Sequence, residues 1–570
     1  MVNVKNLFGM AVMATALVGC SSNDNLAPDG KDNVGKTGEA YASFKINLPT
    51  TNGTRAVDPK TGTEFNGGTA DEYEVKNGTI LIFDASTDKF VTSANLGNMN
   101  PWTADTDDNG VTTAAIATVK LTGVSTTGSY KALVLLNNNT GTADQKVSLP
   151  ANTEMTYAEW SKTDTNAKAD KYLSTDGIFM ANAPEYSATS DPKTLVPVVH
   201  VCASREQAEA MGATTVYVER GLAKVTMKNF DTNYPISGGT YDGGNVTIEK
   251  WQLDVTNKST FPVHQTGDLK DKWGQIWSTE YFYDNTSSAF KRVYWGTDPN
   301  YSTDKYFKGD NTVSPEKSAL DCCKDAFNLI SNAEVVGLPG DDKPQYCLEN
   351  TFNLDNMKQG QTTRVVFKAK FIPKGCTAAE TFYKIGNNTA IWKKADLEKQ
   401  ILAVATTVMN LTSAETADYK VDLDATANNI SGEAGLHMIT ADNIVYTGSG
   451  SSKVPAALAA INTKLGLTED AGISTYLDGV AYYIARIKHF NTKTPWNPGE
   501  AYGTEYGKYL GRYGVLRNNW YDLSVTSISG LGYPDIPEVK PTVPDDENEQ
   551  YINVEVKILS WAKRSQQIEL

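Results

Sequence analysis

Four histidines, His200, His264, His437 and His489, are spread along the 570-residue chain. None falls in an HExxH, HxH or cysteine–histidine spacing, so no zinc-type ligand set is present in the sequence. No GxSxG, Walker or GxGxxG element follows a predicted strand, and the GSG at Gly448–Gly450 reads as a loop. Asp105–Gly110, DTDDNG, has the D-x-D-x-N-G start of a calcium loop, but Ile116 stands where the loop needs its final glutamate. A polar turn after Trp102 accounts for the same residues without metal. Carboxylates are abundant enough for a glycosidase pair, yet nothing in their spacing points to one. The expectation is a chain without catalytic residues, cofactor or metal.

Two residues stand out as targets of chemistry. Arg55 sits in TNGTRAVDPK, a polar, turn-rich stretch that a trypsin-like protease would cut between Arg55 and Ala56. Cys20 closes LVGC after a basic start (Lys5) and an apolar run from Leu7 to Val18. That run is too short to span a bilayer and reads as a signal peptide. LVGC resembles a bacterial lipobox, in which Cys20 is lipidated and becomes the new N-terminus. Of the other cysteines, Cys202, Cys322, Cys323, Cys347 and Cys376, export permits disulfides. A bridge from Cys322 or Cys323 to Cys347 or Cys376 and a set of free buried thiols both remain open.

The elements that surround these residues are mostly short β-branched runs between turn formers, the pattern of a β-rich exported protein. Gly78–Ser86, Ala114–Val124, Ser129–Asn139, Gly243–Val263, Arg364–Pro373 and Gly479–Phe490 read as strands. Residues 214–230 read as one long alternating strand. Helical spacing is found in Thr156–Lys162, Ser204–Met211, Glu316–Ile330, Ala395–Asn410 and Val454–Leu467. The length suggests two to four domains. A net charge of −15 and a pI near 4.9 give no footprint for nucleic acid or anionic lipid.

The ends of the chain are alike. Before Arg55, Ala42, Phe44, Ile46 and Leu48 alternate with Ser43, Lys45 and Asn47. At the other end, Ile552, Val554, Val556 and Ile558 alternate with Asn553, Glu555 and Lys557, after a segment (Gly532–Gln550) with four prolines. Such a segment reads as a stiff, extended and unpacked stalk. A sandwich that loses a strand exposes an apolar groove, and an extended strand from a second molecule can fill it. On this reading Ala42, Phe44, Ile46 and Leu48 protect the groove until cleavage after Arg55. Ile552, Val554, Val556 and Ile558 of a neighbour then replace them, and head-to-tail repetition makes a filament.

Several of these elements together resemble the type V fimbrillins of Bacteroidales, in particular the Mfa-like major (shaft) subunits. They are the lipobox at Leu17–Cys20, the strand followed by Arg55–Ala56, VERGLAKVTM (Val218–Met227) and YGVLRNNWYDLSVTSISGLGYP (Tyr513–Pro534), with Arg517, Asn518 and Tyr521. The terminal INVEVKILSWAKRSQQIEL completes the set. The resemblance implies a mainly β fold: two transthyretin-like β-sandwich domains, short helical insertions and a C-terminal donor strand. It implies a signal peptide at 1–20, a propeptide with its groove-filling strand at 21–55, and domains at 56–215 and 216–533. Stalk and donor strand then occupy 534–570. The partners it implies are further copies of the chain, fimbrial anchor and tip subunits, a trypsin-like protease and, for the precursor, the outer membrane through lipid. The location is the outer membrane and the extracellular fimbrium, the role adhesion and biofilm formation. Removal of residues 1–55, which carry five basic and four acidic residues, would leave a charge of −16. Two other readings stay open: a monomeric surface lipoprotein that binds glycan or host protein through aromatics in Thr492–Gly514, and a secreted hydrolase with a β-sandwich appendage.

Overall fold

The computed structural model describes residues 39–49, 64–65, 68–97, 103–104, 112–163, 512–545 and 552–560, and most of 165–266 and 291–489. Cys20, Arg55, Ala56, Asp105–Gly110 and residues 492–511 lie outside the described residues. The fold is mainly β. No helix among the described residues is long and apolar enough to cross a membrane.

The first half is a nine-stranded sheet. Its strands are β1 (Glu39–Pro49), β2 (Gly78–Asp84), β3 (Phe90–Asn95), β4 (Thr103–Ala104), β5 (Thr112–Thr122), β6 (Tyr130–Leu136), β7 (Met180–Asn182), β8 (Val196–Pro197) and β9 (Thr214–Arg220). The order is β3-β2-β6-β7-β9-β1-β5-β4, with β8 also paired to β6. The sheet folds over on itself. Val119 and Leu121 of β5 share a core with Ile80 and Ile82 of β2, and the hydroxyls of Thr92 and Thr122 lie 3.2 Å apart across the ends. β2 and β6 are buried on both faces, which explains their unbroken apolar runs. Their second face packs on Trp160 and Tyr172 and on Leu348 and Trp520 from the second half.

The run 214–230, expected as one strand, is two strands in different sheets. β9 ends at Arg220 and β10 (Ala223–Met227) begins the second half. The break falls at Gly221, where a Cβ would sit 2.9 Å from Phe179 and 3.0 Å from Tyr172. The sheet change therefore lies a few residues beyond the division drawn at 215/216. Alternation alone does not reveal a change of sheet, because both strands keep the same period.

The second half has β11 (Asn233–Pro235), β12 (Asn245–Asp254), β13 (Gln345–Cys347), β14 (Arg364–Ile372), β15 (Val480–Arg486), β16 (Asn519–Ile528) and β17 (Ile552–Ser560). One sheet runs β11-β12-β14-β15. The other runs β17-β16-β10-β13, with the short strand Glu64–Phe65 outside β17. Val225, Tyr521 and Leu523 of one sheet and Val246, Phe367 and Tyr483 of the other fill a common core, so these sheets form a sandwich. Between β14 and β15 lies a smaller α+β unit with its own core. There, helices Lys394–Met409 and Val454–Leu465 bury Leu397, Ile401 and Ile461 against short strands. The described cysteines are free thiols, four of them buried.

Candidate functional site

β1 earns its place by alternation. Ala40, Ala42, Phe44 and Ile46 are fully buried in the first core, while Lys45 is exposed. Leu48 lies within the strand. The strand is central, parallel to β9 on one side and antiparallel to β5 along its whole length on the other. Its second face is covered too. The Ser43 hydroxyl donates to the Ala208 carbonyl at 3.0 Å and meets the Thr118 hydroxyl at 2.7 Å. Tyr41 and Cys202 exchange backbone hydrogen bonds of 2.8 Å each. Ser43 and Asn47, on the polar face in sequence, are both buried, Ser43 against the helix Arg205–Ala210. No local pattern could announce this cover, because the covering segment is about 160 residues away in the chain. Burial of Phe44 and Ile46 stabilises the sheet by roughly 1.5–3 kcal/mol each. A sheet without β1 would present two unpaired edges, those of β5 and β9, facing one apolar trough.

β17 sits differently. It pairs antiparallel with β16 from Asn519↔Ser560 to Ile528↔Ile552, with a bulge between Val525 and Ser527. On its other side, among the described residues, Leu559 and Ser560 are paired, in parallel, with Glu64 and Phe65. The strand that carries Ile552, Val554, Val556 and Ile558 is thus docked on its own chain's sheet. The proline-rich segment before it is also no free stalk. Val539 and Asp545 are buried, Arg364 Nη2 donates to the Pro537 carbonyl at 2.8 Å, and Gln359 N–H donates to the Val543 carbonyl at 2.9 Å. Thr362 Oγ1 donates to Asp545 Oδ2 at 3.1 Å. Prolines lack the N–H but keep the carbonyl, so a proline-rich segment can still be fastened as an acceptor. Arg364 is itself held by Asp254 Oδ2 at 2.8 Å, both groups being buried.

Buried polar groups lock the two halves together. Glu72, shortly after the Glu64–Phe65 strand, binds Lys224 of β10 at 2.7 Å and accepts from the Tyr346 hydroxyl at 2.6 Å. Burial pushes the Glu72 carboxyl up, but the Lys224 charge and these hydrogen bonds outweigh it and hold the group below its usual range. Lys224 Nζ also lies 3.6 Å from the centre of the Trp520 ring. Burial lowers the Arg220 guanidinium to about 10, and its Nε donates to the Glu72 carbonyl at 2.9 Å. The motif residues after Tyr513 serve the same junction. Arg517 binds Glu349 at 3.1 Å, and Asn518, at φ 60°, donates its N–H to the Leu222 carbonyl at 2.8 Å. The Tyr521 hydroxyl accepts from Leu516 N–H at 2.9 Å and lies 2.8 Å from His489 Nδ1.

Residues 474–567, which include β15, β16, the proline-rich segment and β17, match the family model described as "Major fimbrial subunit protein type IV, Fimbrillin, C-terminal". The match is confined to the C-terminal region of the chain. Three solved structures are similar to this chain, each at 11% identity. A putative cell adhesion protein from Parabacteroides distasonis has a TM-score of 0.41, over 93% of this chain and 100% of that one. The tip fimbrial protein Mfa3 from Porphyromonas gingivalis, with a C-terminal truncation, has 0.28, over 91% and 100%. A fimbrial assembly protein from Parabacteroides distasonis has 0.24, over 58% and 95%. None of the curated proteins compared matches the chain.

Proposed function

We propose that the protein is a structural shaft subunit of a surface fimbria, supporting adhesion and biofilm formation, and that it polymerises by proteolysis-triggered strand exchange. The observation that carries the reading is β1. It is a central strand of the first sheet, yet the segment that contains Arg55 is the stretch of chain that joins it to every other strand of that sheet. A cut between Arg55 and Ala56 leaves β1 held by non-covalent contacts alone. Its loss opens the trough between β5 and β9, and the β17 strand of a second subunit fills it. Presence of β17 supports a shaft rather than a tip position. The precursor travels as a lipoprotein through Cys20 to the outer membrane, and the filament adds anchor and tip subunits at its ends.

Two features of β1 and β17 shape this exchange. β17 must first leave β16, so the subunit is protected at the donor end as well as at the acceptor end. The segment that follows the cut carries the Glu64–Phe65 strand that clasps β17, so one cleavage loosens both. The strands are also unequal in volume. β1 offers Ala40, Ala42, Phe44 and Ile46, whereas the incoming strand offers Ile552, Val554, Val556 and Ile558. Larger residues at the alanine positions require repacking of the trough, because added methylenes in a closed core are costly.

The experiment is limited trypsin treatment of purified precursor, followed by N-terminal sequencing and light scattering. The expected result is a single preferred cut that exposes Ala56, followed by growth of polymer. A cut product that stays monomeric with an intact C-terminus would overturn the reading. Removal of residues 551–570 should leave a folded, cleavable monomer that does not assemble.

A further inference from the structure

The trough that β1 occupies has a cover on its outer side, and that cover is selective. The helix Arg205–Ala210 lies on the outer face of β1, with Ala208 buried. Carbonyls in the last turn of a helix have no intrahelical donor. That of Ala208 is satisfied by β1 itself, because Ser43 Oγ donates to it at 3.0 Å in buried surroundings. Just before the helix, Tyr41 and Cys202 exchange backbone hydrogen bonds. At Lys45, by contrast, the strand is open to solvent.

When β1 leaves, the Ala208 carbonyl loses its donor, and a buried acceptor without a donor is costly. A strand that takes the place of β1 must therefore bring a neutral donor to the Ser43 position. At the Lys45 position it can bring a charge. The polar residues that alternate along β17 in sequence are Asn553, Glu555 and Lys557. A carboxylate has no hydrogen to donate, and an ammonium beneath the helix is stripped of water. Asn553, with two amide hydrogens, meets the requirement.

Resting on the strand-exchange reading, we propose that the helix Arg205–Ala210 sets the register of exchange, with Asn553 of the incoming strand in the place of Ser43 and the strand running in the direction of β1. Tyr551 then replaces Tyr41, Ile552 replaces Ala42, Val554 replaces Phe44, Val556 replaces Ile46 and Ile558 replaces Leu48. Glu555 stands at the exposed Lys45 position. Lys557 falls at Asn47, and its long stem carries the ammonium outward. Gln550 falls at Ala40, beside the exposed Glu39, where the incoming segment turns out of the trough. Of the two alanine positions, Ala42 alone then receives a larger apolar residue, while Val554 and Val556 are smaller than the residues they replace. A slip of two residues brings Tyr551 or Glu555 beneath the helix, and a slip of one turns the apolar face outward. The reversed strand that fills Ala42, Phe44, Ile46 and Leu48 brings Lys557 there.

The test is disulfide trapping in polymer grown from the trypsin-cut full chain. Lys45 is opposite Ile116 and Ser43 is opposite Thr118, so the register sets Glu555 against Ile116 and Asn553 against Thr118 of the neighbour. Directly opposed residues are within disulfide reach. Ile116→Cys with Glu555→Cys, and Thr118→Cys with Asn553→Cys, should link adjacent subunits at least about tenfold faster than Ile116→Cys with Asn553→Cys or with Lys557→Cys. Single-cysteine variants control for Cys376, the exposed native thiol. Asn553→Asp, which keeps the shape but removes the donor, should slow polymer growth about tenfold or more, and Asn553→Ser should restore it. An unchanged melting curve before the cut checks that the variants fold. Preferred linkage of Ile116→Cys to Asn553→Cys or Lys557→Cys, linkage of Thr118→Cys to Lys557→Cys, or indifference to Asn553→Asp would overturn the register while exchange itself stands. No polymer from the cut wild-type chain would sink exchange, and the register with it.

Discussion

β1 and β17 are both alternating apolar strands at the ends of a chain, yet the protein holds them in opposite ways. β1 is paired on both sides and covered on both faces. Among the described residues, β17 is paired fully on one side and over two residues on the other. A strand in the first situation leaves only when the sheet itself opens. A strand in the second can peel from one edge, residue by residue. Under the strand-exchange proposal this difference divides the work: the deeply held strand is the one that needs a covalent cut before it goes, and the edge strand is the one that moves between chains. Native-state hydrogen exchange would break the comparison most directly. Amides of β1 should exchange only with global unfolding, and those of β17 by a local opening at least about 100-fold faster. Equal protection of both strands would remove the asymmetry.

Substitutions sharpen it further. Phe44→Ala in the precursor should cost about 3–5 kcal/mol in urea unfolding, because Phe44 is fully buried in a closed core. The C-terminal counterpart is Arg364→Ala. It should cost about 3–5 kcal/mol by leaving Asp254 buried without its partner. It should also release the proline-rich segment, seen as faster exchange in β17. If exchange there is unchanged, the Pro537 contact does not restrain the strand.

The comparison also has a pH form, confined to the second half. Burial raises the Asp298 carboxyl from 3.8 to about 7. Between those values the folded chain holds a proton that the unfolded chain has lost. Stability therefore falls as pH rises from about 4 to about 7, by at most about 1.4 kcal/mol per pH unit. Asp298→Asn should flatten that slope in melts at pH 5 and pH 7.5, and Phe44→Ala should leave it unchanged. The smallest effect is expected from Phe65→Pro, at the two-residue clasp on β17. It should shift global stability by less than about 1 kcal/mol, while fraying Leu559 and Ser560 measurably in hydrogen exchange.

Much of this was legible in the sequence for a definite reason. Period-two alternation decides which residues of a strand can be buried together, so Ala42, Phe44 and Ile46 could be named as one face before any fold was known. Turn formers bounded the strands at 78–84, 130–136, 364–372 and 480–486, and the 3.6-residue spacing marked the helices at 394–409 and 454–465. Those are local properties, and a sequence carries them directly. Partners are not local. Residue 43 finds Ala208, Glu72 finds Lys224 and Tyr346, and Arg517 finds Glu349 only once the sheets have closed. The proline-rich segment had every mark of a free stalk, and only the placement of Arg364 and Gln359 beside its carbonyls fastened it. The sequence thus determined that both terminal strands have an apolar face to bury. The tertiary structure decided that one is locked in the middle of a sheet and the other rests near an edge, because pairing on a second side depends on neighbours far along the chain.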